Sequence, residues 1–246
     1  MSPPRLRAPG ALTQASAEID LGEAAARHAR VLRLSPRDTV RLFDGLGREA
    51  DAVIRELSAR RFVVDVGAIE QRAIDPHAPV LVQCVPKGSK LDEIVRAATE
   101  AGAAAIHLAL AERSVARAEG ARFERLARIA EEAAAQSEAP LVPTLEAPAP
   151  LDEVAARAPS DAPRLLLTPR DGRAMRELPW ASFRAAPWLL VGPEGGLSEQ
   201  EEERLAGRGW LRARLSTHVL RTEHAGPIAI AVARELGRSV PPANGA

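Results

Sequence analysis

Two stretches near the carboxyl end of the chain combine residue types and spacings that chemistry can use. The first is LLVGPEGGLSEQEEERL, residues 189–205. An apolar run ends at a glycine-proline turn, and Gly192, Gly195 and Gly196 permit positive φ angles and close approach of a ligand to the backbone. Ser198 and Glu201 have the Ser-x-x-Glu spacing of a capping box, so a helix is expected to open there. The loop is not a phosphate cradle, because it lacks both the Lys-Ser/Thr ending of a P-loop and the G-x-G-x-x-G spacing. Glu194, Glu199, Glu201, Glu202 and Glu203 would also repel a polyphosphate and use up the favourable field of the helix start. A neutral or cationic ligand, read by backbone groups, suits the loop better. A plain turn before a well-capped surface helix would use the same residues.

The second stretch is LSTHVLRTEHAGPIAIAVARELG, residues 215–237. Here Arg221 and Glu223 stand two apart beside a β-to-α loop, followed by a nearly uncharged helix that must be buried on most sides. Pro227 is expected in its first turn and Gly237 at its end. Residues at the start of a buried helix are held rigidly, as a site requires. His218 and His224 are further proton-accepting groups in the same stretch, and a surface Arg–Glu pair is the plainer alternative.

Residues 80–240 are expected to alternate strands and helices. Strands are read at 80–85, 105–110, 141–145, 165–168, 188–191 and 210–215. Helices are read after Ser89, where Ser89 and Asp92 suit a capping box, and at 121–136, 151–158, 198–207 and 226–237. This pattern predicts an α/β domain with an open parallel sheet covered on both faces, and ligands bind such sheets beyond the carboxyl ends of the strands. An Ala-rich, Pro-punctuated linker is expected near 146–163. Before AIDPHAP (73–79) the signals are short and β-like: a helix at 22–34, strands at 39–45, 49–57 and 61–69, and a hairpin turn at Asp44-Gly45-Leu46-Gly47. The boundary predicts two domains, residues 1–72 as a small β-barrel and 73–246 as the α/β domain.

The 246 residues carry 33 basic and 33 acidic side chains, so no global field points to nucleic acid. Residues 1–48 hold eight arginines and five acids, a local basic bias. Cys84 is the single cysteine, so no internal disulfide is possible and no Cys-based metal site is expected, and its place in an apolar run reads as a small buried hydrophobe. No metal site is expected. No run approaches the roughly 20 apolar residues of a membrane span, and MSPPRLRAPG has no apolar leader core, so a soluble cytoplasmic protein is expected.

Four stretches in the same order resemble the ribosomal small subunit methyltransferase E family of SPOUT enzymes. They are HARVLRLSPRDTVRLFDGLG (28–47), VPKGSKLDEIVRAATEAGAAAIHLALAERS (85–114), GPEGGLSEQE and VLRTE. The resemblance implies a PUA-like amino-terminal barrel followed by a trefoil-knotted α/β methyltransferase domain that works as a homodimer. It implies transfer of a methyl group from S-adenosylmethionine to N3 of a uridine in small-subunit (16S) ribosomal RNA, naked or in the assembled subunit. The cofactor residues it implies are Thr168, Val191, Gly192, Pro193, Glu194, Gly195, Gly196, Leu215, Ser216, Val219, Leu220 and Thr222. Ser216, His218 and His224 depart from the residues common in that family.

N3 of uridine is protonated at neutral pH, so its methylation needs a base or a cation that stabilises charge on the flanking carbonyls. Arg221 is the candidate for the cation and Glu223 for a base or orienting partner. Arg27, Arg30, Arg33, Arg37 and Arg41 form the candidate RNA surface, with Lys87 and Arg113 at strand ends as further contacts. Aromatics make up 3% of the chain and Tyr is absent, so shape and backbone contacts are expected to outweigh base stacking. A SPOUT enzyme acting on transfer or large-subunit RNA, or a non-catalytic RNA-binding or assembly protein, would share many of these residues.

Overall fold

A computed structural model describes residues 3–8, 10, 12–13, 18–114 and 120–238; part of MSPPRLRAPG lies outside these. The chain divides into two compact units, Met1–Ile74 with Ala134–Val142, and Asp75–Ala133 with Pro143–Ala246. A single cut does not describe this division, because residues 134–142 return to the first unit.

The first unit is built on a five-stranded mixed sheet in the order β1-β3-β4-β5-β2. Its strands are β1 (Arg5–Arg7), β2 (Glu18–Asp20), β3 (Thr39–Phe43), β4 (Arg48–Leu57) and β5 (Phe62–Gln71), with helix α1 at Gly22–Val31. The expected hairpin joins β3 and β4. The Asp44 carboxylate accepts from the N–H groups of Leu46 at 2.7 Å and Arg48 at 3.0 Å, tying the turn from inside. Gly47 has φ +94°, and a Cβ there would come within 2.9 Å of the Arg72 carbonyl, so glycine is required. Alternation along β3 and β4 places Val40, Leu42, Ala50, Ala52 and Ile54 in a core with Phe62, Val64 and the α1 alanines. The three-residue strands β1 and β2 carry too little pattern to be read from sequence. Helix α1 stops at Val31, short of the expected 34, because Arg33 takes a left-handed φ of 58°.

The second unit holds a seven-stranded sheet, β10-β12-β9-β11-β6-β7-β8, in which every pairing is parallel. The strands are β6 (Val80–Cys84), β7 (Ala105–Leu110), β8 (Thr144–Pro150), β9 (Arg164–Leu167), β10 (Arg173–Ala174), β11 (Trp188–Val191) and β12 (Leu211–Arg214). The helices are α2 (Lys90–Glu100), α3 (Gly120–Gln136), α4 (Leu151–Ala156), α5 (Glu199–Gly207) and α6 (Thr222–Arg238). Every residue of β6 and β11 is buried, as central strands covered on both faces must be. Val80, Val82 and Cys84 share one core with Leu190, Leu151 and Val154 of α4 and Leu205 of α5. Leu81 and Gln83 point to the opposite face, where α6 comes so close that a Cβ on Gly226 would meet Leu81 at 3.0 Å. Burial pushes the Cys84 thiol well above its ordinary range, in keeping with a small buried hydrophobe.

Several local expectations differ from the structure. The strand expected at 141–145 begins at Thr144, because Leu141 pairs instead with Leu46 and Val142 donates its N–H to Gly45 in the first unit. The expected linker near 146–163 is ordered as β8 and α4; Pro148 and Pro150 are tolerated because β8 is an edge strand. Ser89 makes no side-chain cap on α2. Helix α6 begins at Thr222, so Pro227 lies inside it rather than in its first turn. No helix among the described residues is long and apolar enough to cross a membrane.

Candidate functional site

Strands β12, β9 and β11 are adjacent and parallel, so the loops leaving their carboxyl ends emerge side by side. These are Thr168-Pro169, the glycine loop from Gly192, and the segment from Leu215 to Arg221. Between them lies a cavity of about 340 Å³, toward the small end of the roughly 300–1,000 Å³ typical of ligand pockets. All twelve residues that the resemblance assigned to a cofactor line it: Thr168, Val191, Gly192, Pro193, Glu194, Gly195, Gly196, Leu215, Ser216, Val219, Leu220 and Thr222. Leu167, Pro169 and His218, which neighbour the assigned residues in the same loops, also line it, as do Leu166, Leu197, Glu202 and Ala225, which were not assigned from the sequence. The β9 pair had a usable signal, since both leucines sit at the carboxyl end of a central strand.

The loop is held from four sides. At its exit, Ser198 and Glu201 form the expected capping box. The Glu201 side chain is buried, and its second oxygen accepts the Glu112 N–H at 2.8 Å, fastening the turn after β7 to the start of α5. Arg113 donates to the carbonyl of Gly195 at 2.8 Å and to that of Leu197 at 3.4 Å, so this expected RNA contact grips the glycine loop. Gly196 supplies the left-handed turn with φ +69°. At the loop's entrance, Thr222 donates its hydroxyl to the Gly192 carbonyl at 3.0 Å and accepts from Gln83 Nε2 at 3.2 Å.

The fourth tie is ionic. Lys90 Nζ lies 3.0 Å from Glu194 Oε1 and 3.2 Å from Glu223 Oε2, and the Lys87 N–H donates to the Glu194 carboxylate. Burial raises the Glu194 carboxyl, but its own amide, the Lys90 ammonium and the Lys87 N–H together hold it below the usual carboxylate range. The Glu223 carboxyl is also depressed, chiefly by its own backbone amide and then, against burial, by Lys90. Lys90 is correspondingly raised by its hydrogen bonds to Glu194 and Glu223. Sequence reasoning missed Lys90 and Gln83: Lys90 lies within the 85–114 stretch but was given no role there, Gln83 precedes it, and each reaches its site partners only across the fold.

Arg221 and Glu223 separate sharply in burial. The Arg221 side chain is 82% exposed and stands 3.9 Å from Glu223, whose side chain is 7% exposed. Arg221 is therefore a cation presented to solvent beside the cavity, while Glu223 is an ionised anchor beneath it. His218 and His224 are both exposed, and His224 lies 3.9 Å from Glu93.

The arginines of the first unit divide in the same way. Arg27, Arg30, Arg33 and Arg37 are exposed, and Arg27 pairs with its exposed i,i+4 neighbour Glu23. Arg41 departs from the expectation of an open basic surface. It sits directly across from Asp51 in the β3–β4 register and bonds Asp51, Glu49 and Glu70, so its charge is satisfied within the sheet. Lys87 is exposed.

The cavity's charge decides which ligand class it can take. Among the described lining residues there is no Lys or Arg, and the two carboxylates, Glu194 and Glu202, are each paired from outside, by Lys90 and Arg212. The remaining wall is leucine, valine, proline, glycine and Ala225, with the neutral hydroxyl side chains of Thr168, Ser216 and Thr222 and the exposed His218. This donor set fits a phosphate-free ligand with an apolar body and a positive centre. It is a poor fit for a nucleotide phosphate.

Comparison with known proteins agrees with this reading. Residues 75–234 match the family model of an RNA methyltransferase domain, and residues 21–67 match that of an RNA methyltransferase PUA domain. A ribosomal RNA small subunit methyltransferase E from Mycobacterium bovis is 30% identical over 228 residues, covering 89% of this chain and 86% of that protein. One from Synechocystis is 30% identical over 208 residues, covering 82% of this chain and 67% of its own length. The crystal structure of a ribosomal RNA small subunit methyltransferase E from Neisseria gonorrhoeae, bound to S-adenosyl methionine, superposes with a TM-score of 0.89 at 28% identity. That match covers 95% of this chain and 98% of the other.

Proposed function

The chain belongs to the ribosomal RNA small subunit methyltransferase E family, and from that premise we propose that it methylates N3 of a uridine in small-subunit ribosomal RNA using S-adenosylmethionine. The observation that carries the cofactor assignment is a cavity walled by three strand-end loops that contains apolar surface and paired carboxylates but no Lys or Arg among its described residues. When bound there, S-adenosylmethionine supplies an electrophilic methyl group on a positively charged sulfur.

The chain's own residues then have separable tasks. The loops after β9, β11 and β12 hold the donor, and much of the rate comes from orientation of the two reacting partners. Arg221, a solvent-facing cation beside the cavity, is assigned to stabilise the negative charge that develops on a uracil carbonyl as N3 loses its proton. Glu223 is assigned as an orienting anion, since a depressed, buried carboxylate paired with Lys90 is a weak base. Arg27, Arg30, Arg33 and Arg37, with Lys87, are assigned to RNA phosphates, where each neutralised phosphate adds to the salt dependence of binding.

The exposed apolar side chains of Val219 and of Ile228 on α6 support a homodimer whose partner covers that face. We place the enzyme in the cytoplasm, where its RNA substrate is made. The test is methylation of purified small subunits from a strain lacking this protein, followed by mapping of the modified nucleoside. Formation of 3-methyluridine is the expected product. Methyl transfer to another base, or only to transfer or large-subunit RNA, overturns the assignment.

A further inference from the structure

Lys90 is the one lysine or arginine side chain among the described residues that pairs with both a cavity-lining residue of the glycine loop and the first turn of α6. It stands at the first residue of α2, so its backbone is fixed by a helix whose apolar face packs on the second unit's core. From there its ammonium reaches Glu194 at 3.0 Å and Glu223 at 3.2 Å. Three segments distant in sequence are thus joined at one nitrogen: the start of α2, the loop after β11 and the start of α6. We propose that Lys90 is a positioning residue for the methyl-transfer site, setting the spacing between the glycine loop that holds the cofactor and the Arg221–Glu223 segment that faces the RNA base.

Geometry favours this role over an incidental surface pair. Glu194 is tied at its other side by the Lys87 N–H, so the carboxylate cannot swing to follow a displaced lysine. The Glu223 side chain is almost fully buried, and its Oε2 meets the geometry of no hydrogen bond among the described residues. The Lys90 ammonium at 3.2 Å is therefore its ionic partner, and loss of that ammonium would leave the oxygen facing the protein interior uncompensated. A buried carboxylate without its partner costs far more than an exposed one, so the α6 start would shift to rehydrate it. The other charged groups facing this cluster are Arg221, at 3.9 Å from Glu223 Oε1, and His224, on the same turn. Among the described residues neither forms an ion pair with Glu194, whose ionic partner is Lys90.

The role rests on the methyltransferase reading, and its test is arranged so that the two can fail separately. Wild type, Lys90→Met, Lys90→Arg and Glu194→Gln are compared for S-adenosylmethionine binding by calorimetry, for KM and kcat in methylation of small subunits, and for thermal unfolding. For Lys90→Met the KM for S-adenosylmethionine is expected to rise about fivefold, kcat is expected to fall, and the acid limb of the kcat/KM profile is expected to move to higher pH. Lys90→Arg is expected to recover most of the KM. Glu194→Gln removes the negative charge of the same pair from the loop side while keeping an accepting oxygen, so it is expected to raise KM in the same direction and settles the matter should Lys90→Met fold poorly. A wild-type chain that binds no S-adenosylmethionine overturns the functional reading together with this role. An active wild type with unchanged KM and an unmoved acid limb in both Lys90→Met and Glu194→Gln overturns the role of Lys90 alone.

Discussion

The Thr222 hydroxyl donates to the Gly192 carbonyl at 3.0 Å while accepting from Gln83 at 3.2 Å, so one buried side chain fastens the start of α6 to the end of β11. Two of the three loops around the cavity are held together at that oxygen. Thr222→Val keeps the shape of the side chain but removes both bonds. It leaves the Gly192 carbonyl without this donor and reduces the fully buried Gln83 Nε2 to a single partner, the Cys84 carbonyl at 3.0 Å. The expected loss is about 1–3 kcal/mol of folding stability, with weaker S-adenosylmethionine binding. Thr222→Ser is expected to restore both. Denaturant unfolding and calorimetry on the two variants check this, and equal behaviour of Val and Ser removes the hydroxyl from the account.

Arg221 projects into solvent beside the cavity without lining it. Arg221→Ala is therefore expected to leave cofactor affinity within about twofold while kcat falls at least tenfold, roughly 1.4 kcal/mol of transition-state stabilisation. A parallel loss of cofactor binding would show that the side chain supports the loop instead.

Exposed and engaged arginines of the first unit are expected to behave differently in RNA binding. Replacing Arg30 and Arg37 together with Ala is expected to flatten the dependence of log affinity on log salt by about 1.4–1.8 if each contacts a phosphate. Arg41→Ala is expected to leave that slope unchanged and to lower the unfolding midpoint, because Arg41 is bonded to Glu49, Asp51 and Glu70. Filter binding across a salt series separates the two outcomes.

The pH dependence of the Lys90 cluster follows from its shifts. Glu194 and Glu223 are both depressed, so their stabilisation is complete at neutral pH and is lost only as pH falls through and below the ordinary carboxylate value of about 4.3. Lys90 is raised, so its share is lost only as pH rises beyond the ordinary lysine value of about 10.4. The stability difference between wild type and Glu194→Gln is thus expected to stay level from about pH 6 to 9 and to vanish in acid. A difference that changes steeply between pH 6 and 8 would point to another titrating group.

Much of this protein was decided locally. Ser198 and Glu201 are three residues apart, so their capping box needed no tertiary contact and could be read directly. The same holds for the Asp44–Gly47 hairpin turn and for the buried runs at β6 and β11, whose unbroken apolar pattern follows from burial on both faces. The cavity loops after Val191 and from Leu215 were legible because they leave strand ends, where parallel sheets gather their ligand-binding turns, whereas the Thr168 loop followed only from the family resemblance. What remained closed to the sequence was every pairing between distant segments. Arg41 reads as a free basic residue until β5 brings Glu70 to it, and Arg113 reads as an RNA contact until its guanidinium meets the Gly195 carbonyl. Leu141 reads as the start of a strand in the second unit until it pairs with Leu46 in the first. Charge and hydrogen-bonding partners are set by proximity in space, and for residues a hundred positions apart only the folded chain determines that proximity.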